Sequence, residues 1–447
     1  VKTKIQGASD LSQYSFEVAL SKRRAGQAPV FGSYSQIQGV SADIDSQTVS
    51  VSATDEPFLL SSFTSKAESV WRLNANPMVR IVMALPLEKF MPFIDFAGFS
   101  KNNVLGIRFL KTQLGQSSPW FYGVTQYPVP RLETERRNIQ IEGYGLLFEA
   151  QRRQQARGFK NQSAMEIIST IVRKYNVRLS TRGNIQDRQV AAAEQNESDF
   201  GYINQMSYIL DAYWYLENSD LVLIGRDYMY RQTPSVALVF GSLPDENLST
   251  NFPISEFTPM LSAQSFEAGA LVIRGGGIDL DSGDVVTTDF KPKGIRLGSL
   301  ALTSEQFLSD AGVSINNTVL RPAPELRPDE AGLILPLNTR SNDSFVYQYS
   351  VEHKDLAIRS LVTCPGLPAV KPGEMVRLSG VGETFGGNWV VEEIAHSAGT
   401  DTGYVSTLTL VRNALGQLNV PTQFPTNTKA IEDKPDSTVR KFAEVDR

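Results

Sequence analysis

The sharpest change of hydrophobic period along the chain falls between Gln195 and Ile224. In the first half of this stretch, Phe200, Ile203, Ser207 and Leu210 recur at three- and four-residue steps, with Met206 beside them. That spacing is one face of a helix. Asn196 is placed to cap its first turn, and Asp199 puts a carboxylate where a helix N-terminus favours one. The second half reads differently. Tyr213-Trp214-Tyr215-Leu216 and Leu221-Val222-Leu223-Ile224 are dense in β-formers, with Asn218-Ser219-Asp220 as a turn between them. A short helix feeding an aromatic hairpin predicts a packed α+β unit. None of its side chains is arranged as a nucleophile, a base or a metal ligand.

The same pattern extends upstream. Ser163 and Glu166 form a capping box, and Met165, Ile168, Ile171, Val172 and Tyr175 line one helical face that ends at Asn176. Val177-Arg178-Leu179 starts a strand, while 150–160 and Ser180 to Gln195 are polar. On both sides of this unit the texture is β. Met78 to Ala84, Val104 to Leu110, Trp120 to Thr125 and Asn138 to Glu142 read as strands, with a turn cluster at Gly115 to Pro119. Further on, Leu271 to Arg274, Met375 to Leu378, Phe385 to His396 and Gly403 to Asn413 read the same way. Ser15 to Leu20 and the alternating Thr48 to Ser52 are strand-like within a region otherwise rich in Ser, Gln and Gly.

The expected division is an N-terminal extension at 1–75, a first β-barrel at 76–155, completed in part by later segments, an α+β module at 156–232, a second barrel at 233–413 and a polar tail at 414–447. The tail is rich in Pro, Thr and charge, so it has little apolar surface to bury alone. Arg321 to Pro328 reads as an extended surface segment.

Composition narrows the chemistry. Of 447 residues, 41% are hydrophobic and 20% charged, as in ordinary globular proteins. The net charge of −5 does not suggest a nucleic-acid binder. The basic clusters Lys22-Arg23-Arg24 and Arg152-Arg153 read as solvated faces. Cys364 is the single cysteine, which excludes an intrachain disulfide and suits a reducing cytoplasm. It follows an apolar run and is expected to be a buried thiol. No stretch approaches the ~20 apolar residues of a transmembrane helix, and no signal core opens the chain. Val1 is compatible with removal of an initiator methionine.

Candidate sites fail one by one. His353 and His396 are the two histidines, and neither has a ligand at a recognised metal spacing. His396 is expected at a strand end in a structural role. Glu392 and Glu393 are adjacent, so on a regular strand they point to opposite faces, unlike a glycosidase pair. Gly143-Tyr144-Gly145 lacks the third glycine of a dinucleotide loop, and these glycines are expected to permit sharp turns at strand ends. Asp279, Asp281 and Asp284 follow a glycine run, but Gly283 stands where a calcium loop needs an oxygen and no Glu closes it. Trp120, Trp214 and Trp389 could serve as sugar platforms, although their strand settings favour burial. No catalytic, cofactor-binding or metal residue is therefore assigned, and no cofactor or enzymatic activity is expected.

Several of these strings together resemble the tail-hub proteins of contractile-tailed phages, the late control D type, and the related hub portion of type VI secretion spikes. Glu197-Ser198-Asp199-Phe200, Asp211 to Tyr215 and Leu221 to Ile224 match a hub signature. Gly123-Val124-Thr125 and Gly143 to Phe148 match the hub's first barrel. Val370-Lys371-Pro372-Gly373-Glu374-Met375-Val376-Arg377-Leu378, then Phe385 to His396, then Gly403 to Asn413 follow its closing pattern in order. The resemblance covers about residues 78–413. It implies a mainly β, α+β fold, with two tail-tube-like antiparallel β-barrels and an intervening small α+β module.

It also implies a function. Three copies form a pseudo-six-fold ring that joins a six-fold tail tube to a three-fold central spike and leaves a channel for DNA in transit. The implied partners are a homotrimer, the tail tube protein, the central spike protein, and the tape-measure and other baseplate proteins. The implied place is the virion tail baseplate, assembled in the host bacterial cytoplasm. The alternatives are a tail-tip cell-wall hydrolase and a receptor- or glycan-binding β protein.

Overall fold

A computed structural model describes residues 16–21, 38–39, 58–59, 64–84, 104–111, 115–126, 129–132, 137–187, 189–241, 251–261, 273–278, 285–290, 297–298, 358–399 and 403–416. The fold is mainly β with a small helical module. Two rings of strands carry most of it.

The first ring takes its six positions, in chain order, from Phe16–Ser21, then Phe58–Leu59 with Thr64–Arg72, Met78–Ala84, Val104–Lys111, Phe121–Thr125 with Val129–Leu132, and Arg137–Tyr144. Hydrogen bonding connects the first position to the fourth, then runs through the fifth, sixth, third and second and back to the first. The second ring uses Val236–Val239, Asn251–Pro253 with Glu256–Leu261, Ile358–Pro365, Met375–Ser379, Gly387–Gly399 and Gly403–Arg412. Its ladder follows the same circuit. In both rings the second position is split, pairing with the first strand by its early part and with the third by its later part. One difference separates them: the first strand is antiparallel to its two neighbours in the first ring and parallel to them in the second.

The rings are joined edge to edge. Thr64–Arg72 pairs with Met78–Ala84 on one side and with the far half of Gly387–Gly399 on the other, Arg72 opposite Glu393 and Lys66 opposite Gly399. Strands Phe16–Ser21 and Thr64–Arg72 precede residue 76, the expected start of the first barrel, yet both are ring members.

Alternation explains the barrel interiors. Ala67, Ser69 and Trp71 on one strand, Val79, Ile81 and Met83 on the next, and Ile139 and Ile141 beyond are fully buried, with partly exposed residues between them. The glycines expected at turns have another task. A Cβ on Gly123 would lie 2.3 Å from Val79 Cγ2 and 2.6 Å from the Gly143 carbonyl carbon. Gly123 and Gly143 thus let neighbouring strands approach closely inside the first barrel.

The module lies between the rings in sequence. Its helix Ala164–Arg173 carries the expected capping box, with Ser163 accepting from the Glu166 amide and the Glu166 carboxylate accepting from the Ser163 amide. Ile167, Ile168, Ile171 and Val172 are buried on its inner face. Helix Asp199–Ile209 is capped by Ser198, not by Asn196; the Ser198 hydroxyl accepts from the Gly201 amide. Asp199 is buried and held by Arg157, by the Tyr175 hydroxyl at 2.8 Å and by the Gln195 amide at 2.8 Å. The polar intervals around it contain a ribbon, Arg157–Ser163 paired with Gln189–Gln195, that composition does not signal.

Hairpin Ala212–Glu217/Asp220–Gly225 fixes the module to the barrels. Asn218, at φ 53°, forms its turn. Trp214, Leu216, Leu221 and Leu223 pack into the helical core, whereas Tyr213, Tyr215, Val222 and Ile224 pack into the barrel core. Burial on both faces explains why the hairpin reads as an unbroken apolar run instead of an alternating one. Asn74, in the turn after Thr64–Arg72, extends this sheet: its amide donates to Trp214 O at 2.7 Å and its Oδ1 accepts from the Trp214 amide at 3.0 Å.

Candidate functional site at the barrel junction

One cluster of polar groups lies along the seam. Arg72 ends the shared strand and donates to Glu392 Oε1 at 3.0 Å. Arg359, on Ile358–Pro365 of the second barrel, donates to the same oxygen at 3.2 Å. Arg72 also stands 3.8 Å from Glu393. Both glutamates therefore reach one guanidinium. The opposite-face expectation fails because the register of Gly387–Gly399 slips between Val391 and Glu393, a bulge that re-aims the side chains. Burial raises the Glu393 pKa, and Arg72 works against that rise. Two carboxylates and two guanidiniums balance in charge. Arg72, Arg359 and Glu392 border an open cleft of about 340 Å³ whose walls include Asn204 and Tyr208 of the module. The cluster ties the two barrels together and contains no histidine.

His396 lies deeper, within Gly387–Gly399 and not at its end. It is fully enclosed. Its Nδ1 is 2.9 Å from the Tyr404 hydroxyl and 3.1 Å from the Ser406 hydroxyl. Its ring lies 5.0 Å from Phe109 and 5.5 Å from Phe121, so first-barrel aromatics cover it. Burial holds its pKa down to about 3, and the ring is neutral at ordinary pH. A neutral imidazole among two hydroxyls and two phenyl rings, with no carboxylate orienting it, is built to pack.

Cys364 is buried as well, and desolvation pushes its thiol up to about 12. A thiol that stays protonated is a poor nucleophile. Lys111 of the first barrel reaches into the second, donating to Gly366 O at 3.1 Å and standing 4.4 Å from the Phe252 ring centre.

Arg412 was visible only as part of the closing string. Its guanidinium is buried and donates to four carbonyls: Phe385 at 3.3 Å, Gly386 at 3.1 Å, Leu297 at 2.9 Å and Gly416 at 2.6 Å. Asn413 Oδ1 accepts from the Leu297 amide at 2.9 Å. The Arg-Asn pair thus pins three separate chain segments at one corner of the second barrel. Arg72, Arg359 and Lys111 carried no sequence signal, because each acts on a partner far away in the chain.

The remaining candidates are dispersed. Trp120, Trp214 and Trp389 are 7%, 0% and 0% exposed, so none offers a sugar platform. Arg152 and Arg153 are exposed on the surface. Lys22-Arg23-Arg24, Thr48 to Ser52, Asp279, Asp281, Asp284, Arg321 to Pro328, His353 and residues 417–447 lie outside the described residues. Among the described residues, no three of His, Cys, Asp and Glu converge to hold a metal ion.

No protein-family model and no curated protein matches the sequence. Solved structures do. The 43 kDa tail protein of prophage MuSo2 from Shewanella oneidensis superposes with a TM-score of 0.52 at 12% identity, over 90% of this chain and 100% of its own. A tail protein from Neisseria meningitidis superposes with a TM-score of 0.54 at 10% identity, over 81% of this chain and 95% of its own. At such identities the likeness is one of fold alone.

Proposed function

We propose that this chain is a structural baseplate hub of a contractile phage tail or related injection machine, of the late control D type. Three copies form a closed ring of six barrels. The ring joins a six-fold tail tube to a three-fold central spike and encloses a channel that DNA crosses without sequence recognition. The chain acts by geometry and performs no catalysis.

The observation that carries this reading is the repeated circuit of strands. Two barrels with the same ring order stand side by side in one chain, joined through Thr64–Arg72 and Gly387–Gly399. A chain that contains two near-equivalent units, repeated around a three-fold axis, presents six similar units to one neighbour and three to another. Closure also covers strand edges that have no partner among the described residues. The shared fold with phage tail proteins supports the same reading. The partners under this proposal are the tail tube protein, the central spike, the tape-measure protein and other baseplate proteins, and the site of action is the virion baseplate after assembly in the host cytoplasm. Mixing the purified chain with tube and spike proteins tests it: co-elution of all three in one complex is expected, and failure of the chain to bind either would refute it.

A further inference from the structure

The open cleft beside the Arg72–Glu392 cluster is walled by hydrogen-bond donors. Arg72, Asn74, Asn204, Tyr208, Arg359 and Glu392 line it, so each barrel and the module contributes a wall, and its whole lining is among the described residues.

Trp214 sets the direction of both asparagines. Its main-chain amide donates to Asn74 Oδ1 at 3.0 Å, and its indole Nε1 donates to Asn204 Oδ1 at 2.6 Å. An amide or indole N–H can only donate, so each asparagine is held with its carbonyl oxygen toward Trp214 and its NH2 group left as a donor. Among the described residues nothing accepts from either NH2 group.

The arginines leave donors in the same way. Arg72 and Arg359 both place Nη2 on one oxygen, Glu392 Oε1. A guanidinium has several more N–H groups in its fixed fork, and these remain for another acceptor. Glu393 approaches Arg72. Arg359 has, among the described residues, only the carboxylate that it shares with Arg72. The lining thus carries two cations and one anion.

Glu392 limits which anion suits the cleft. It is buried, and its Oε2 has no hydrogen-bond partner among the described residues. A carboxylate in the wall opposes a doubly charged anion more strongly than a singly charged one. This selects a carboxylate over a phosphate dianion. The cleft is also open where sites for free small molecules enclose most of the ligand, which suits a side chain projecting from a larger body.

We infer that this cleft binds a carboxylate presented by an Asp or Glu side chain of a partner protein. Arg359 and Arg72 supply charge-assisted hydrogen bonds to it, and the NH2 groups of Asn74 and Asn204 supply neutral ones.

The test titrates the full chain, at low salt, with a short peptide that is blocked at both ends and carries one central glutamate, read by saturation-transfer NMR. The same peptide with glutamine, and inorganic phosphate, are the comparison probes. The glutamate peptide is expected to bind roughly tenfold more tightly than the glutamine peptide, the factor that one charge-assisted contact supplies. Arg359→Gln should weaken its binding by about the same factor. Arg178→Gln, at an exposed guanidinium outside the cleft, should leave it unchanged. Glu392→Gln should tighten binding, because it removes the opposing charge, and a cluster with a merely structural role would show no such gain. Thermal melting reports whether each variant folds; if Arg359→Gln does not, Glu392→Gln decides. No binding of the glutamate peptide, equal binding of the glutamine peptide, or binding that is indifferent to the cleft variants overturns the site. Phosphate binding more tightly than the glutamate peptide overturns the carboxylate assignment.

Discussion

Arg72 of the first barrel and Glu392 of the second meet at 3.0 Å across the seam, and Arg359 closes on the same carboxylate oxygen at 3.2 Å. The Glu392 side chain is 6% exposed, while the two arginines are 46% and 39% exposed. Hydrogen bonds to charged groups contribute roughly 1.5–3 kcal/mol when sheltered, and solvent at the arginines reduces that. Glu392→Gln should therefore cost about 1–2 kcal/mol, read as a lower urea midpoint. An unchanged midpoint would mean that the seam is held by its backbone ladder and apolar packing alone.

Gly123 offers a sharper mutational contrast. A Cβ there collides with Val79 and with the backbone of Gly143, and a backbone cannot rotate away. Gly123→Ala should cost about 3 kcal/mol or leave the chain insoluble. Gly115 has φ +62° but nothing within 4 Å of its would-be Cβ. Gly115→Ala should cost only about 1 kcal/mol, from backbone strain. Equal effects of the two substitutions, measured by thermal melting, would refute the close-approach account.

These cases define what the sequence made legible. The helix at Ala164–Arg173 was readable because its cap and its apolar spacing are local, and the Ala212–Gly225 hairpin because its strands and turn are consecutive. Ser198 displaced Asn196 as the second cap because two polar residues lie within one turn, and only geometry selects between them. The ribbon Arg157–Ser163/Gln189–Gln195 stayed hidden because its strands are polar and far apart in the chain. The seam was invisible for a related reason. Arg72 and Glu392 are 320 residues apart, and the bulge that turns Glu392 and Glu393 toward one arginine leaves no mark on composition.

His396 gives the seam a pH dependence with a defined sign. Its folded pKa, about 3, lies below the ordinary histidine value of 6.5, so the unfolded chain binds the extra proton between those values. The stability this contributes is complete above pH 6.5 and is lost as pH falls toward 3. Glu374 and Glu393 have pKa values raised by burial, so they act in the opposite sense, losing stability as pH rises above 4.5. Comparing wild type with His396→Phe isolates the histidine. The variant should lose less stability than wild type between pH 7 and pH 5, whatever its midpoint at pH 7. Parallel profiles would refute burial of a neutral ring.

Tyr215 should tolerate the loss of its hydroxyl. Its ring packs edge-on to Trp71 at 5.4 Å, but its buried oxygen has no hydrogen-bond partner among the described residues. Burial raises the phenol pKa strongly. Tyr215→Phe keeps the packing and removes an unsatisfied polar atom, so it should be neutral or stabilising by up to about 1 kcal/mol. Trp214→Ala, on the other face of the same strand, should cost about 3–5 kcal/mol by emptying the helical core. A destabilising Tyr215→Phe would reveal an ordered water or another partner at that oxygen.

The solution mass of the purified chain, by light scattering over a range of concentrations, tests the hub account most directly. The account predicts a closed trimer of about 148 kDa from a chain of 49.3 kDa, formed alone or on addition of the spike protein. A dimer that persists at every concentration and resists the spike would contradict it, because two-fold closure gives four barrels and matches neither the tube nor the spike.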